Sequence, residues 1–218
     1  GLAVECTDGA RIDLKGPGGD GPAQIQYELA PIRVTRNQAE LEISLVDSNP
    51  LSMEEAHPDK EGNTINLGEK GIEDWVDSLE QSVDMISAAL PGWAEEFRYT
   101  TQRVLPVGYE PEMHLSASYR EAPGIVYMTL HPDPLTMAEA LIHETQHGKI
   151  NAYSWSDQIL FNAHTTWTES AVRPDLRPIW GVLLAVHAFV PVAAMHYAMA
   201  EQNHPLASGD WFERRRAQ

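Results

Sequence analysis

The feature that most constrains the fold is a run of 22 residues, 179–200, that contains no Asp, Glu, Lys or Arg. A helix of that length can cross a bilayer. The run also contains two histidines, a glycine and a proline, and alanine is more frequent in it than leucine. We therefore expect a long helix buried in the core of a globular protein, with no membrane partner.

The charge balance excludes another class of partner. The chain has 218 residues, with 32 Asp and Glu against 15 Lys and Arg, and a net charge of −17. Nucleic-acid binding through a general surface needs clustered cations, so we expect none. The single cysteine excludes a disulfide framework or a Cys-rich zinc site and favours a reducing, cytoplasmic location. Residues 1–15 lack the pattern of a retained secretory signal.

Patterning along the chain predicts a mixed fold. Short alternating runs predict strands at residues 23–29, 32–36 and 39–46. Farther along, we predict helices at 72–90, 93–104 and 135–150, and strands at 113–119 and 124–130. No repeat or linker divides the chain. We therefore predict one α+β domain over residues 1–218, with a β-rich part at 1–70 and a mainly helical catalytic part at 71–218.

Residues 143–147 read HETQH, which is an HExxH motif. Four residues of an α-helix advance about 400°, so His143 and His147 would lie about 40° apart on one face. Two imidazoles in this arrangement can share one metal ion. In metalloproteases with this motif the glutamate, here Glu144, is the base that activates a metal-bound water. The motif therefore predicts a metal site at His143 and His147.

A third protein ligand has to come from another segment. The candidates are His164, Glu169, His187 and His196. His187 lies in the apolar run LLAVHAF, where a metal or a hydrogen bond would offset the cost of burying an imidazole. His187 and His196 are nine residues apart and lie on opposite faces of a straight helix, although a kink at Pro191 could change this. Glu169 is the rival, because a later glutamate completes many HExxH zinc sites.

Two arginines, Arg173 and Arg177, lie just before the apolar run, and each precedes a proline. Pro178 suits the first turn of the following helix. Two guanidinium groups near a helix N-terminus suit a carboxylate or phosphate ligand. The alternative is an ion pair with Asp175 or Glu169 that holds the loop.

The order of an ALIHETQHGKI helix, a Trp-rich loop and RPDLRPIWGVLLAVHAFVPVA resembles the HExxH-motif proteins of gene clusters for ribosomally synthesised, post-translationally modified peptides. The resemblance covers residues 124–197, about a third of the chain. The downstream RPxxRPxxGVL pattern makes it more specific than HExxH alone. Many members carry His at the position of Leu184 here, and this chain offers His187 instead.

This resemblance implies an Fe(II)- and 2-oxoglutarate-dependent dioxygenase. With O2, such an enzyme would hydroxylate the β-carbon of a residue such as Asp or His in a precursor peptide. By position, His143 and His147 would bind iron, and Arg173 or Arg177 would pair with the distal carboxylate of 2-oxoglutarate. The resemblance does not decide whether Glu144 is catalytic or structural.

The chemistry of the residues is compatible with that activity. Two imidazoles and one further ligand, for which we favour His187, leave open positions for a bidentate oxoacid and O2. Imidazole suits zinc as well as iron, so the alternative is a zinc metallopeptidase with Glu144 as general base and Glu169 as third ligand. A non-enzymatic peptide-binding protein with a structural metal is a second alternative.

The loop at residues 151–172 contains Trp155 and Trp167. If these indoles are exposed they could line a groove for the peptide, whereas tryptophans in such loops otherwise belong to the core. The acidic surface would favour a basic peptide, although the charge could serve solubility alone.

Overall fold

The computed structural model describes residues 2–5, 11–14, 32–47, 49, 65–170, 174–209 and 212–213. In these residues the strands are β1 (Leu2–Glu5), β2 (Arg11–Leu14), β3 (Ile32–Arg36), β4 (Ala39–Ile43), β5 (Arg103–Tyr109), β6 (Ser116–Ser118), β7 (Ile125–Leu130), β8 (Trp167–Thr168) and β9 (Arg177–Pro178). The helices are α1 (Ile72–Ala89), α2 (Trp93–Thr100), α3 (Pro134–Ser156) and α4 (Ile179–Glu201). The protein is therefore α+β, with the motif helix and the long apolar helix in its C-terminal part, as predicted.

The main sheet has the strand order β3-β4-β5-β7-β6. In this sheet β3 and β4 form an antiparallel hairpin, and β4, β5 and β7 run parallel to one another. Strand β6 pairs antiparallel with β7 at the edge. Parallel neighbours need long connections, and α1 and α2 lie in the one between β4 and β5. Because β7 leads into α3, the edge strand β6 lies beside the helix that carries the HExxH motif.

Alternate side chains of the central strands enter two apolar clusters, as the period of two requires. The larger cluster joins the sheet to α1, α3 and α4, and includes Val104, Val126, Met128, Trp75, Leu79, Leu141 and Met195. The smaller cluster contains the intervening strand residues Leu105, Val107, Ile125 and Tyr127. The motif helix is thus fixed against the sheet through the larger cluster.

Local sequence explains where α3 begins. The carboxylate of Asp133 accepts the backbone N–H of Leu135 and the hydroxyl of Thr136, and Pro134 occupies the first turn. Residues 135–142 are all buried, and His143 is the first partly exposed residue after them. The motif therefore begins where α3 emerges from the core.

The expectation that the 179–200 run is buried in the core is wrong. In α4 only Ala188, Met195, His196 and Met199 are buried, whereas Val186, Phe189, Val190 and Tyr197 are 44–60% exposed. Among the described residues, α4 is also the one helix whose length and hydropathy would allow a membrane span. One side of α4 packs on α3, and no described residue covers the other.

Other boundaries also differ from the prediction. The helix expected at 93–104 ends at Thr100, and Arg103 begins strand β5. Strand β6 has three residues instead of seven, and α3 continues to Ser156. The strands predicted at 32–36 and 39–46 and the helix predicted at 72–90 are confirmed, although β4 ends at Ile43 and α1 at Ala89. The strand predicted at 23–29 lies outside the described residues.

Candidate metal centre

The two motif histidines meet on one face of α3. Their Nε2 atoms are 2.9 Å apart, and the rings contact edge to face with centroids 4.5 Å apart. Two nitrogens that each lie about 2.1 Å from one ion, at a right angle, are about 3.0 Å apart. The spacing of His143 and His147 therefore fits two neighbouring positions of one metal ion.

Burial keeps these imidazoles neutral. It lowers the pKa of His143, against the opposing charge of Glu144. It also lowers the pKa of His147 to about 4, with smaller contributions from His143 and His187. A metal binds the neutral form of histidine, so both rings are in their binding form at neutral pH.

His187 of α4 lies beside this pair. Its Nδ1 is buried without a hydrogen-bond partner. Burial lowers the pKa of His187, as does the charge of Lys149, while the backbone of Gln146 raises it. A buried imidazole nitrogen without a partner is available to a metal.

The described side chains do not already surround one point. No group of three or more His, Cys, Asp or Glu residues in the described ranges has the geometry to hold a metal. A site that contains His187 therefore requires a side-chain rearrangement. The Nδ1 of His147 is likewise buried and unpartnered, so two imidazole nitrogens at the α3–α4 contact have unused bonding capacity.

The other third-ligand candidates lie apart from the pair or are engaged. The Nε2 of His196 is 2.8 Å from the Glu139 carboxylate, and both residues are buried. His187 and His196 both lie close to α3, and Pro191, the residue at which a kink was considered, lies between them inside the helix. Glu169 is exposed in the loop after β8, and His164 lies near Trp180.

Glu144 points away from the open side of the pair. It is 3% exposed, and its two carboxylate oxygens accept hydrogen bonds of 2.7 Å from the hydroxyls of Ser116 and Ser118. Sequence reasoning missed these two serines. Their signal was the Ser-Ala-Ser run of β6, since residues two apart in a strand share a face. The carboxylate fastens α3 to the edge strand.

The predicted cosubstrate arginines have different outcomes. Arg173 lies outside the described residues. The Nε of Arg177 donates to the Asp175 carboxylate at 2.9 Å, in a partly exposed ion pair that matches the alternative considered for this loop. Any carboxylate ligand of Arg177 would have to share the guanidinium with Asp175 or displace the Asp175 carboxylate.

Two further neighbours of the histidines were not predicted. The ring of Phe189 stands edge-on to His143, with centroids 4.8 Å apart, and is 44% exposed. The Nζ of Lys149 lies 2.8 Å from a carboxylate oxygen of Glu96, and its charge also acts on His187. The centre thus has an apolar wall on α4 and a cation at its side.

A groove of about 500 Å³ lies at the far ends of the same two helices. It is lined by side chains that include Arg120, Trp155, Ile159, Leu160, His164 and Trp180. Trp155 and Trp167 are 65% and 59% exposed, so neither indole is a core residue. Trp155 lines this groove.

Comparison with known proteins adds no assignment. No protein-family model matches the chain, and no curated protein matches it.

Proposed function

We propose that this protein is a cytoplasmic Fe(II)- and 2-oxoglutarate-dependent dioxygenase that hydroxylates the β-carbon of a residue, Asp or His, in a ribosomally made precursor peptide. The observation that carries the proposal is the contrast between the imidazoles and Glu144. The Nε2 atoms of His143 and His147 lie 2.9 Å apart and His187 beside them has a buried Nδ1 without a partner, whereas both oxygens of Glu144 are engaged by serines.

His143, His147 and His187 would hold the metal. The first two are on one face of α3, and the third lies on α4, close enough for its charge to act on His147. Three neutral nitrogen ligands leave open positions, and soft thiolates are absent from the set. Phe189 would shield the His143 side from water.

Bound Fe(II) supplies the capacity to couple two oxidations with one O2. One oxygen atom enters the C–H bond of the peptide as a hydroxyl, and the other enters succinate as 2-oxoglutarate loses CO2, so atoms and electrons balance. The protein's part is to hold the oxoacid beside the peptide and to place one β-carbon in reach. The cations proposed for the distal carboxylate of 2-oxoglutarate are Arg173 and Arg177. Arg177 would first have to be released by Asp175.

The position of Glu144 argues against the hydrolytic alternative. A general base has to reach the proton that it removes, directly or through one water. In this protein the hydroxyls of Ser116 and Ser118 donate hydrogen bonds to both carboxylate oxygens. Glu144 is therefore better suited to positioning α3 than to activating water. The competing third ligand of a peptidase site, Glu169, is exposed in the loop after β8.

The test is anaerobic reconstitution with Fe(II), followed by addition of 2-oxoglutarate, O2 and candidate peptide. We expect the peptide to gain the mass of one oxygen atom while succinate is released. Glu144→Gln, whose amide can still hydrogen-bond to both serines, should keep most of this activity, and Glu144→Ala should lose it. Peptide cleavage with Zn(II) and without 2-oxoglutarate, abolished equally by both variants, would contradict the proposal.

A further inference from the structure

The groove between the C-terminal end of α3 and the start of α4 is well ordered by its own hydrogen bonds. The backbone N–H of Trp180 donates to Ala163 at 3.0 Å, and that of Ile179 donates to Thr166 at 2.8 Å. Strands β8 and β9 pair beside them. The loop is therefore held to α4 before any ligand arrives, which lowers the entropic cost of binding.

Arg120 is the permanent cation of this groove. Its guanidinium lies over the Trp155 ring, 4.5 Å from the centroid, and forms no ion pair with any described residue. A guanidinium fixed by stacking presents its remaining N–H donors in a planar fork that suits a carboxylate. Asp157 also lines the groove, and its carboxylate accepts the N–H of Gln158 at 2.7 Å.

The surroundings of Arg120 are apolar and open. Trp155 and Ile159 are 65% and 41% exposed in the groove, and Phe161 is 90% exposed nearby in the chain. A concentration of large exposed apolar side chains marks an interaction surface. A ligand that suits this lining has a carboxylate next to an apolar side chain.

The location of the groove ties it to the proposed metal centre. Trp155 is eight residues beyond His147 on α3, about 12 Å along the axis. Trp180 is seven residues before His187 on α4, about 10 Å away. An extended peptide covers these distances with three or four residues. 2-Oxoglutarate is too short to bridge them.

From this geometry we infer that the groove is a docking subsite for the substrate peptide, which places an acidic residue on Arg120 and an adjacent apolar side chain against Trp155 and Trp180. The acidic residue would lie three or four positions from the hydroxylated one. The inference rests on the proposed function for its peptide substrate. The net charge of −17 favours a peptide that is basic elsewhere, so the one carboxylate is a local contact.

The test is fluorescence anisotropy with three labelled eight-residue peptides that differ at one position and contain Leu-Glu, Leu-Gln or Leu-Lys. Without 2-oxoglutarate, no turnover can occur. We expect the full-length protein to bind the Glu peptide about tenfold more tightly than the Gln peptide. Arg120→Gln should abolish that preference, and Arg120→Lys should restore part of it.

The matched control is Arg98→Gln, which removes an exposed cation outside the groove and should leave the preference unchanged. Equal binding of the Glu and Gln peptides, no binding of any of them, or the same loss in Arg98→Gln would overturn the subsite. Arg120-dependent binding without succinate formation would keep the subsite and reject the dioxygenase. Hydroxylation of the peptide that does not depend on Arg120 would support the dioxygenase and reject the subsite.

Discussion

Two histidines of α4 contact α3 within three turns of each other, and their surroundings differ in one respect. His196 is buried, and its Nε2 is hydrogen-bonded to the Glu139 carboxylate inside the protein. His187 keeps a buried Nδ1 without a partner, beside a second imidazole in the same condition. The interface thus holds two kinds of buried histidine. His196 forms a structural pair with Glu139, whereas His147 and His187 each keep a ring nitrogen without a partner.

An imidazole with an unpartnered nitrogen is the better candidate for chemistry on this interface. Buried polar groups in native proteins are nearly always paired, so an orphan requires an explanation that a satisfied pair does not. A metal held by the Nε2 atoms of His143 and His147 would give the buried Nδ1 of His187 a partner. It would explain nothing at His196. The α3–α4 contact thus has a metal end, at His147 and His187, and a structural end, at His196 and Glu139.

Breaking the metal end should have the largest effect. His147→Ala removes a proposed ligand, and we expect Fe(II) affinity to fall by more than about 100-fold, because even the loss of a residue supporting a ligand costs 10–100-fold. Calorimetric titration under anaerobic conditions measures this. His196→Ala is the control and should bind Fe(II) with an unchanged dissociation constant. Equal losses in both variants would remove the distinction between the two ends.

Breaking the structural end should affect folding instead. Glu139→Ala leaves the buried His196 ring without its partner, and we expect the free energy of unfolding to fall by about 2–3 kcal/mol. Urea denaturation of the metal-free protein reports this value. Glu139→Gln can still hydrogen-bond to the ring and should lose less. A stable Glu139→Ala protein with reduced iron affinity would show that the pair belongs to the metal site.

The cosubstrate role of Arg177 gives a smaller effect. Arg177→Gln should raise the KM for 2-oxoglutarate about tenfold with little change in kcat, as expected for the loss of one charged contact on the oxoacid. Asp175→Asn frees the guanidinium and should leave this KM unchanged or lower it. Succinate release at varied 2-oxoglutarate concentrations measures both. An unaltered KM in Arg177→Gln would remove the role assigned to it.

The smallest effect is expected far from both ends. The Arg36 guanidinium donates three hydrogen bonds to Asp84 and so lowers the pKa of that carboxyl. A group with a lowered folded pKa contributes stability above its unfolded pKa of about 3.9, and that stability is lost as the pH falls through the folded pKa. Because the pair is exposed, Asp84→Asn should cost about 0.5 kcal/mol at pH 7 and progressively less as the pH falls through the folded pKa. Denaturation over a series of acidic pH values checks this, and iron affinity should stay unchanged.

Sequence reasoning worked best where a pattern is local. The apolar spacing of α1 and the Asp133-Pro134 start of α3 are properties of a few neighbouring residues. It failed at β5, because this central strand is buried on both faces and so lacks alternation, and because Pro106 lies within it next to a register shift.

In the site, the spacing of His143 and His147 follows from helix geometry alone. The partners of Glu144 and His196 come from distant segments, β6 and α3, and no pattern near either residue indicates them. The exposed face of α4 was unpredictable for a similar reason. Hydropathy records which residues could be buried, and not whether another element covers them.

Replacing each α4 histidine by glutamine tests most sharply whether His187 is a metal ligand and His196 is not. Glutamine at position 196 can still hydrogen-bond to Glu139, and glutamine is a poor metal ligand at either position. Both variants should remain folded by circular dichroism. Iron and protein are measured after anaerobic loading and desalting. We predict that wild type and His196→Gln retain stoichiometric iron while His187→Gln does not. Equal iron in His187→Gln and wild type would contradict the account.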